Sequence, residues 1–137
     1  MVRPEVLRRR LSKLEEYLRI LERLSRYELQ EFLSDPEHYG AAERFLQLAI
    51  EAINDMGTHV AVDLGLGSVE QARDLPELFF RRGDIDEALR RAWLRMIGFR
   101  NLLVHDYLEI DRKIVWRVLR ERLGDLEALG RVFSRFL

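Results

Sequence analysis

Apolar residues recur at helical spacing along most of this chain and predict an all-α structure. From residue 7 to residue 21 a leucine follows every three or four positions, and charged residues fill the positions between. This spacing places the leucines on one helix face, and we predict that helix from about Pro4 to Leu33. No stretch alternates polar and apolar residues as a half-buried strand does.

The second predicted helix has a clear start and a clear end. Asp35 followed by Pro36 is a typical start signal, because proline is favoured at the first helical position. Apolar spacing continues to Leu64, and Gly65 can then adopt the left-handed conformation that ends helices. The Gly-X-Gly that begins at Gly65 follows a helix instead of a strand, so it does not indicate a dinucleotide site.

Three further helices are predicted in the second half of the chain. A short helix spans about residues 74–80, where Asp74 precedes a leucine and a proline. Asp84 with Glu87 resembles a capping box and opens a fourth helix, which we expect to fade near Tyr107 to Ile110. Asp111 is a plausible cap for the last helix, which Gly124 could bend or weaken.

Four long helices and one short helix predict an up-and-down bundle in a single domain of residues 1–137. The chain's 137 residues suffice for one core, and an apolar fraction of 47% excludes general disorder. No cysteine is present, which excludes disulfides, thiolate nucleophiles and cysteine-based zinc sites. No apolar segment reaches the length of a signal peptide core or a membrane span, so we expect a cytoplasmic protein.

The net charge of -1 excludes a general electrostatic attraction to nucleic acid. Any RNA contact must therefore use a local basic patch. Five arginines in the short helix and the early fourth helix either supply such a patch or form ordinary solvated faces: Arg81, Arg82, Arg90, Arg91 and Arg95.

The residues with the clearest chemistry are at the end of the fourth helix, in the segment Arg100-Asn101-Leu102-Leu103-Val104-His105-Asp106-Tyr107. Histidine titrates near neutral pH and can act as a general base or acid. Arginine offers forked donors that match phosphate oxygens and stabilise negative charge. Together they suit RNA cleavage, in which the 2′-hydroxyl attacks the neighbouring phosphate and no metal is required.

Helix geometry constrains this segment. Arg100 and Tyr107 share a face if the helix persists, and Asn101 and His105 share a neighbouring one. Arg100 and His105 are five positions apart, which is roughly 140° around the axis. Three arrangements remain open: the long arginine reaches the substrate of His105, the helix unwinds near His105, or two protomers combine their copies in one cleft.

The remaining titratable groups offer weaker signals. No histidines and carboxylates have recognisable metal-ligand spacing, so no metal site is predicted. His38, in the first turn of the second helix, is expected to be exposed. His59 is four positions after Asp55, which predicts a structural Asp–His pair, although a role for Asp55 near the cleft stays open.

The segment from Arg100 to Tyr107 resembles the signature of HEPN domains, in particular the HepT-like ribonuclease toxins of toxin–antitoxin pairs. Residues 46–57 and 96–107 are similar to the second-helix and fourth-helix patterns of that family, and the resemblance covers nearly the full chain. It implies an all-helical HEPN fold and a homodimer whose motifs line one cleft.

The resemblance also implies a function. A HepT-like protein is a metal-independent endoribonuclease toxin of a type VII-like pair, with no cofactor, and its antitoxin is a minimal nucleotidyltransferase. Arg100 and His105 match the family's catalytic pair, and Asn101, Asp106 and Tyr107 are auxiliary residues of the motif. Tyr107 matches the tyrosine to which the antitoxin attaches AMP and so inhibits the toxin.

Two other functions stay open. The chain could be a non-catalytic HEPN module that binds a nucleotidyltransferase or a nucleotide, or a plain helical scaffold. The presence of both Arg100 and His105 favours the enzyme over the non-catalytic module.

Overall fold

The all-α fold is confirmed in a computed structural model, which describes residues 2–106 and 108–137 and contains no strand among them. Seven helices are present in these ranges: α1 (Pro4–Leu24), α2 (Leu29–Ser34), α3 (Pro36–Leu64), α4 (Leu75–Arg82), α5 (Glu87–His105), α6 (Arg112–Glu121) and α7 (Leu123–Ser134). A single 3-10 turn, Ala72–Asp74, precedes α4. None of the described helices is long and apolar enough to cross a bilayer.

The long helix α3 is at the centre of the bundle and packs against the other six helices. The apolar faces predicted for α3 and α5 are confirmed, because most of their members are buried: Leu46, Ala49, Ile53, Met56 and Val60 on α3, and Ala92, Trp93, Met96, Phe99 and Leu103 on α5. Burial of such side chains supplies most of the stability, at roughly 1.5–3 kcal/mol for each large one.

The first predicted helix is wrong in its length, since the chain leaves it after Leu24 and starts α2 at Leu29. Glu28 begins α2 through a capping box, in which its backbone N–H donates to Glu31 Oε1 at 3.2 Å. The turn between the helices is held from α6, because Trp116 Nε1 donates to the Tyr27 carbonyl at 3.0 Å.

The last predicted helix is also divided. Asp111 caps α6 as expected, and its side chain accepts from the backbone N–H of Lys113 at 2.9 Å. The interruption is at Arg122, whose φ of -120° and ψ of 1° are not helical, and Gly124 follows in the first turn of α7.

The predicted cap of α5 is wrong by two residues. Asp86 is the cap, and its carboxylate accepts from the backbone N–H of Leu89 at 2.8 Å. Asp84 instead pairs with Arg82 at 2.9 Å. Local spacing favoured Asp84, but Asp86 has the extended backbone that a cap needs and Asp84 is engaged elsewhere. By contrast, the predicted cap Asp35 and the left-handed Gly65, with φ of 61°, are both confirmed for α3.

The distance between α3 and α5 is set by the close contact between Gly57 and Trp93. A Cβ atom on Gly57 of α3 would be 3.1 Å from Trp93 Cη2 and 3.2 Å from Leu75 Cδ1, so glycine is what lets the indole lie against the helix backbone. Trp93 Nε1 also donates to Asn54 Oδ1 at 2.9 Å. These contacts fix α3, α4 and α5 relative to one another and so hold the two helices, α3 and α5, that form walls of a cleft.

Candidate active site

A polar cleft of about 550 Å³ opens between α3, α5 and the segment around the 3-10 turn. Its walls are Glu51, Asn54, Asp55 and Thr58 from α3, Ile97, Arg100 and Asn101 from α5, and residues 69–73 from the turn segment. Two residues of the sequence motif, Arg100 and Asn101, therefore line one cavity.

Arg100 is held across this cleft by a carboxylate of α3. Its Nε and Nη2 donate to Glu51 Oε2 at 2.8 and 2.7 Å, and its Nη1 donates to Asn101 Oδ1 at 3.2 Å. Both partners of the ion pair are 30% exposed, so the guanidinium is oriented yet reachable from solvent. Gln47 Nε2 donates to the same Glu51 oxygen at 3.2 Å. The arginine is thereby fixed toward the cleft before any substrate arrives.

Asp55 is a second carboxylate in the cleft, the location that the sequence had left open for it. Burial raises the pKa of Asp55, and the nearby Glu51 carboxylate raises it further, whereas Arg10 opposes the shift. Arg10 Nη1 is 3.9 Å from the Asp55 carboxylate, at the limit of an ion pair.

His105 is the last residue of α5 and is exposed, outside the lining of the cleft. The helix remains regular through His105, so of the three arrangements left open by the sequence, unwinding near His105 is not the one observed. Asp106 follows at the cap position, and its backbone N–H donates to the Leu102 carbonyl at 2.9 Å. Helix geometry separates Arg100 from His105 by about 7.5 Å along the axis and roughly 140° around it.

A single chain therefore presents the two predicted catalytic groups on different sides of one helix tip. Among the described contacts, none joins Arg100 to His105. Asn101 lines the cleft together with Arg100, whereas Asp106 is next to His105 in the chain and lies outside the cleft lining. Tyr107 lies outside the described residues, so its predicted place beside Arg100 stays a prediction.

The chain after the motif is anchored to α3 by a second arginine–glutamate pair. Arg112 Nε donates to Glu43 Oε2 at 3.1 Å, and the Arg112 guanidinium is 4.1 Å from the centre of the Tyr39 ring. Burial raises the pKa of Glu43 despite the opposing attraction of Arg112. The end of α5 and the start of α6 are thus each tied to α3 by an arginine–glutamate pair.

The other two histidines are structural, but not as predicted. His59 does not pair with Asp55; its Nε2 is 3.2 Å from Asp63, one turn further along α3, and its Nδ1 is 3.2 Å from Arg3 Nη2. Arg3, at the start of the chain, contacts both His59 and Asp63. This shared contact favours Asp63 over Asp55 as the partner of His59. The interaction with Arg3 contributes to lowering the pKa of Asp63, against the effect of burial.

His38 is not exposed, contrary to expectation. Its side chain is 21% exposed and stacks on the Tyr27 ring at 3.7 Å between centroids. Its Nδ1 is 3.1 Å from the Glu31 carbonyl, so it joins α2 to α3. Neither His38 nor His59 lines the cleft.

Most of the arginines considered for a basic patch are engaged in ion pairs. Arg81 pairs with Glu77 at 3.1 Å, and Arg90 pairs with Glu87 at 2.6 Å. The five arginines do not line the cleft with Arg100. Their engagement by nearby carboxylates favours the interpretation as ordinary solvated faces.

Three charged residues of the cleft were not identified from the sequence, namely Glu51, Glu70 and Arg73. Glu51 is 49 positions from Arg100, so no local spacing could indicate the pair. Arg73 is in the least regular stretch of the sequence, where periodicity gives no face. Among the described residues, no group of three metal-ligating side chains is present.

The chain is similar to known proteins over most of its length. An mRNA nuclease HepT of Shewanella oneidensis is 34% identical over 82 residues, which are 60% of this chain and 62% of that protein, so the chain spans less than two thirds of that relative. A tRNA nuclease HepT of Aphanizomenon flos-aquae is 28% identical over 99% of this chain and 92% of that protein.

The fold is shared with a solved structure, that of a tri-AMPylated HEPN toxin of Shewanella oneidensis in complex with its MNT antitoxin. The TM-score is 0.86 at 24% identity, over 95% of this chain and 97% of the toxin. The family model described as ribonuclease HepT-like matches residues 14–132, which include α3, the cleft and the segment from Arg100 to Tyr107. Because that family model covers most of the chain, this chain belongs to the HepT-like ribonuclease family.

Proposed function

We propose that this chain is a metal-independent endoribonuclease toxin of a type VII-like toxin–antitoxin pair, acting on RNA in the cytoplasm. One observation carries the proposal: the tip of α5 presents an oriented arginine at a polar cleft and an exposed histidine five residues further on. Membership of a ribonuclease family and the resemblance to the two HepT nucleases support it.

The chemistry needs three groups. His105 takes the proton of the 2′-hydroxyl, whose oxygen attacks the adjacent phosphorus. Arg100 donates to the phosphate oxygens and stabilises the charge that develops on them. The 5′-oxygen leaves with a proton, and the products are a 2′,3′-cyclic phosphate and a 5′-hydroxyl. One histidine cannot be base and acid at once, so the acid comes from a second source.

A homodimer supplies that second source. When two helix tips face one groove, the His105 of one protomer can act as the base and the second copy of His105 as the acid that protonates the 5′-oxygen. The exposed His105 of one protomer can then also act with the arginine of the other, which resolves their separation within a chain. The surface between α5, α6 and α7 suits self-association, because it is an apolar groove of about 450 Å³ and Leu102 on its edge is 47% exposed.

The first test is RNA cleavage in the presence of a metal chelator. We expect undiminished cleavage by the wild type and a loss of about 10²–10⁴-fold in His105→Ala, because general base catalysis is removed. His38→Gln is the matched control, since it changes a histidine outside the cleft. Cleavage that needs added Mg²⁺, or equal rates in the wild type and His105→Ala, would contradict the mechanism.

We propose further that a minimal nucleotidyltransferase silences this chain by attaching AMP to Tyr107. The Shewanella toxin, which is AMPylated and bound to an MNT antitoxin, supports the idea. AMP would bring a bulky anion next to the motif, where it competes with substrate phosphate for Arg100.

The test treats wild type and Tyr107→Phe with the nucleotidyltransferase and ATP. We expect the wild type to gain the mass of AMP on Tyr107 and to stop cleaving RNA, whereas Tyr107→Phe gains none there and still cleaves. Loss of wild-type activity with an unmodified Tyr107 would point to inhibition by binding alone.

A non-catalytic module that binds a nucleotidyltransferase or a nucleotide is the second candidate. The observation in its favour is that Glu51 occupies two donors of Arg100. The cleavage assay separates the two candidates, since tight binding of the nucleotidyltransferase without cleavage of any RNA would favour the module.

A further inference from the structure

We infer that the polar cleft beside Arg100 binds one nucleotide of a single-stranded RNA, and that Arg73 is its phosphate contact. This inference rests on the proposed function, since it concerns the substrate that the α5 tip would cleave. It adds a residue from the opposite wall of the cleft, outside the sequence motif.

The first step concerns charge. Arg73 and Arg100 are both in the cleft wall, but Glu51 already pairs with Arg100 at 2.7 Å. Arg73 makes no ion pair with any carboxylate in the described ranges. With the Gln71 amide turned to satisfy both groups, its oxygen accepts from Arg73 Nε at 2.8 Å and Nη2 at 3.0 Å. A neutral amide thus orients this guanidinium without cancelling its charge.

The second step concerns rigidity. Arg73 is in the 3-10 turn, which a capping box closes, because Asp74 Oδ2 accepts from the backbone N–H groups of Glu70 and Gln71, both at 3.0 Å. Leu75 and Pro76 directly after it are buried and anchor the turn to the core. A guanidinium on a fixed platform loses less conformational entropy when it binds phosphate.

The third step concerns the rest of the cleft. A volume of about 550 Å³ accommodates a nucleotide. Carboxylates of Asp55 and Glu70 and the side-chain amides of Asn54 and Asn101 also line it. These carboxylates repel a phosphate, which must therefore stay at Arg73, but they accept hydrogen bonds from the amino groups of a base. A free phosphate would use only the contact with Arg73. An RNA nucleotide would use both that contact and the carboxylates that accept hydrogen bonds from its base.

The experiment measures binding of a short fluorescein-labelled RNA whose 2′-hydroxyls are methylated, so that it cannot be cleaved. We expect Arg73→Gln to weaken binding by about tenfold at low salt, and to reduce the slope of log K against log salt by about 0.7 between about 50 and 200 mM. Arg19→Gln is the matched control, because it removes the same charge from an exposed site on α1 and should leave both quantities unchanged.

Cleavage kinetics provide the second readout. We expect Arg73→Gln to raise KM for a cleavable RNA while kcat stays near the wild-type value, since we assign to Arg73 a phosphate other than the reacting one, which Arg100 contacts. Identical behaviour of Arg73→Gln and Arg19→Gln would overturn the inference, even if the wild type cleaves RNA. Conversely, binding that depends on Arg73 in a chain that cleaves no RNA would retain the inference and reject the nuclease.

Discussion

Arg100→Ala is expected to lower kcat for RNA cleavage by about 10³-fold, because it removes the donors that stabilise charge on the phosphate in the transition state. Arg100→Lys should retain only part of the activity, since a lysine keeps the charge but not the planar fork. Initial rates with saturating RNA measure both effects. Both variants should keep the wild-type unfolding transition within about 1 kcal/mol, because a partly exposed ion pair contributes little to stability.

The effect of replacing Arg100 depends on its partner Glu51. In the free protein its Oε2 accepts from two nitrogens of Arg100, at 2.8 and 2.7 Å, so Glu51 is a positioning residue for the guanidinium. Substrate phosphate must share or replace this partner. We expect Glu51→Gln to lower kcat by about tenfold, because the amide holds the arginine less firmly than a carboxylate does.

A double-mutant cycle tests whether Glu51 acts through Arg100. Once Arg100 is alanine, Glu51→Gln should cause no further loss, since there is no guanidinium left to position. Glu15→Gln, which changes an exposed carboxylate of α1 outside the cleft, is the control for the altered charge. Losses from Arg100→Ala and Glu51→Gln that multiply would show that Glu51 has a separate role.

The fold could be predicted from the sequence where its signals are local and strong. The caps at Asp35 and Asp111 and the left-handed Gly65 are as expected, since each depends on neighbours within a few residues. The break after Leu24 could not be predicted, because apolar spacing runs through it, and a tertiary contact holds the turn there, the bond from Trp116 to the Tyr27 carbonyl. For the last helix the sequence indicated a weak point at Gly124, and the break is two residues earlier, at Arg122.

The candidate site shows the same limit. The motif identified Arg100 and His105 because their chemistry and spacing are local. Their partners come from elsewhere, Glu51 from α3 and Arg73 from the irregular segment before α4. A helical period assigns faces within one helix, but it does not say which residue of another helix meets them. The pairing of His59 with Asp63 instead of Asp55 has that cause, because Arg3 decides it from 56 residues away.

Trp93→Ala is expected to lower the free energy of unfolding by about 3–5 kcal/mol, the range for removing a large aromatic side chain from a core. The indole is fully buried and forms aromatic contacts with Phe79 and Phe133, both at 5.8 Å between centroids. It also fills the space that Gly57 leaves open on α3. The cavity left by Trp93→Ala would be surrounded by residues of three helices, α3, α4 and α7. Moving one helix alone could therefore not close it.

The second tryptophan provides the control. Trp116 is only partly buried and donates a hydrogen bond to a backbone carbonyl of the turn before α2, so Trp116→Ala should cost about 1–3 kcal/mol. Urea unfolding followed by circular dichroism compares the two variants without relying on tryptophan fluorescence. Equal losses of unfolding free energy in the two variants would show that the contact between Gly57 and Trp93 does not fix the bundle.

The larger loss of stability in Trp93→Ala should come with weaker RNA binding under native conditions. The reason is that Asn54 and the cleft wall lose the indole that holds α3 against α5.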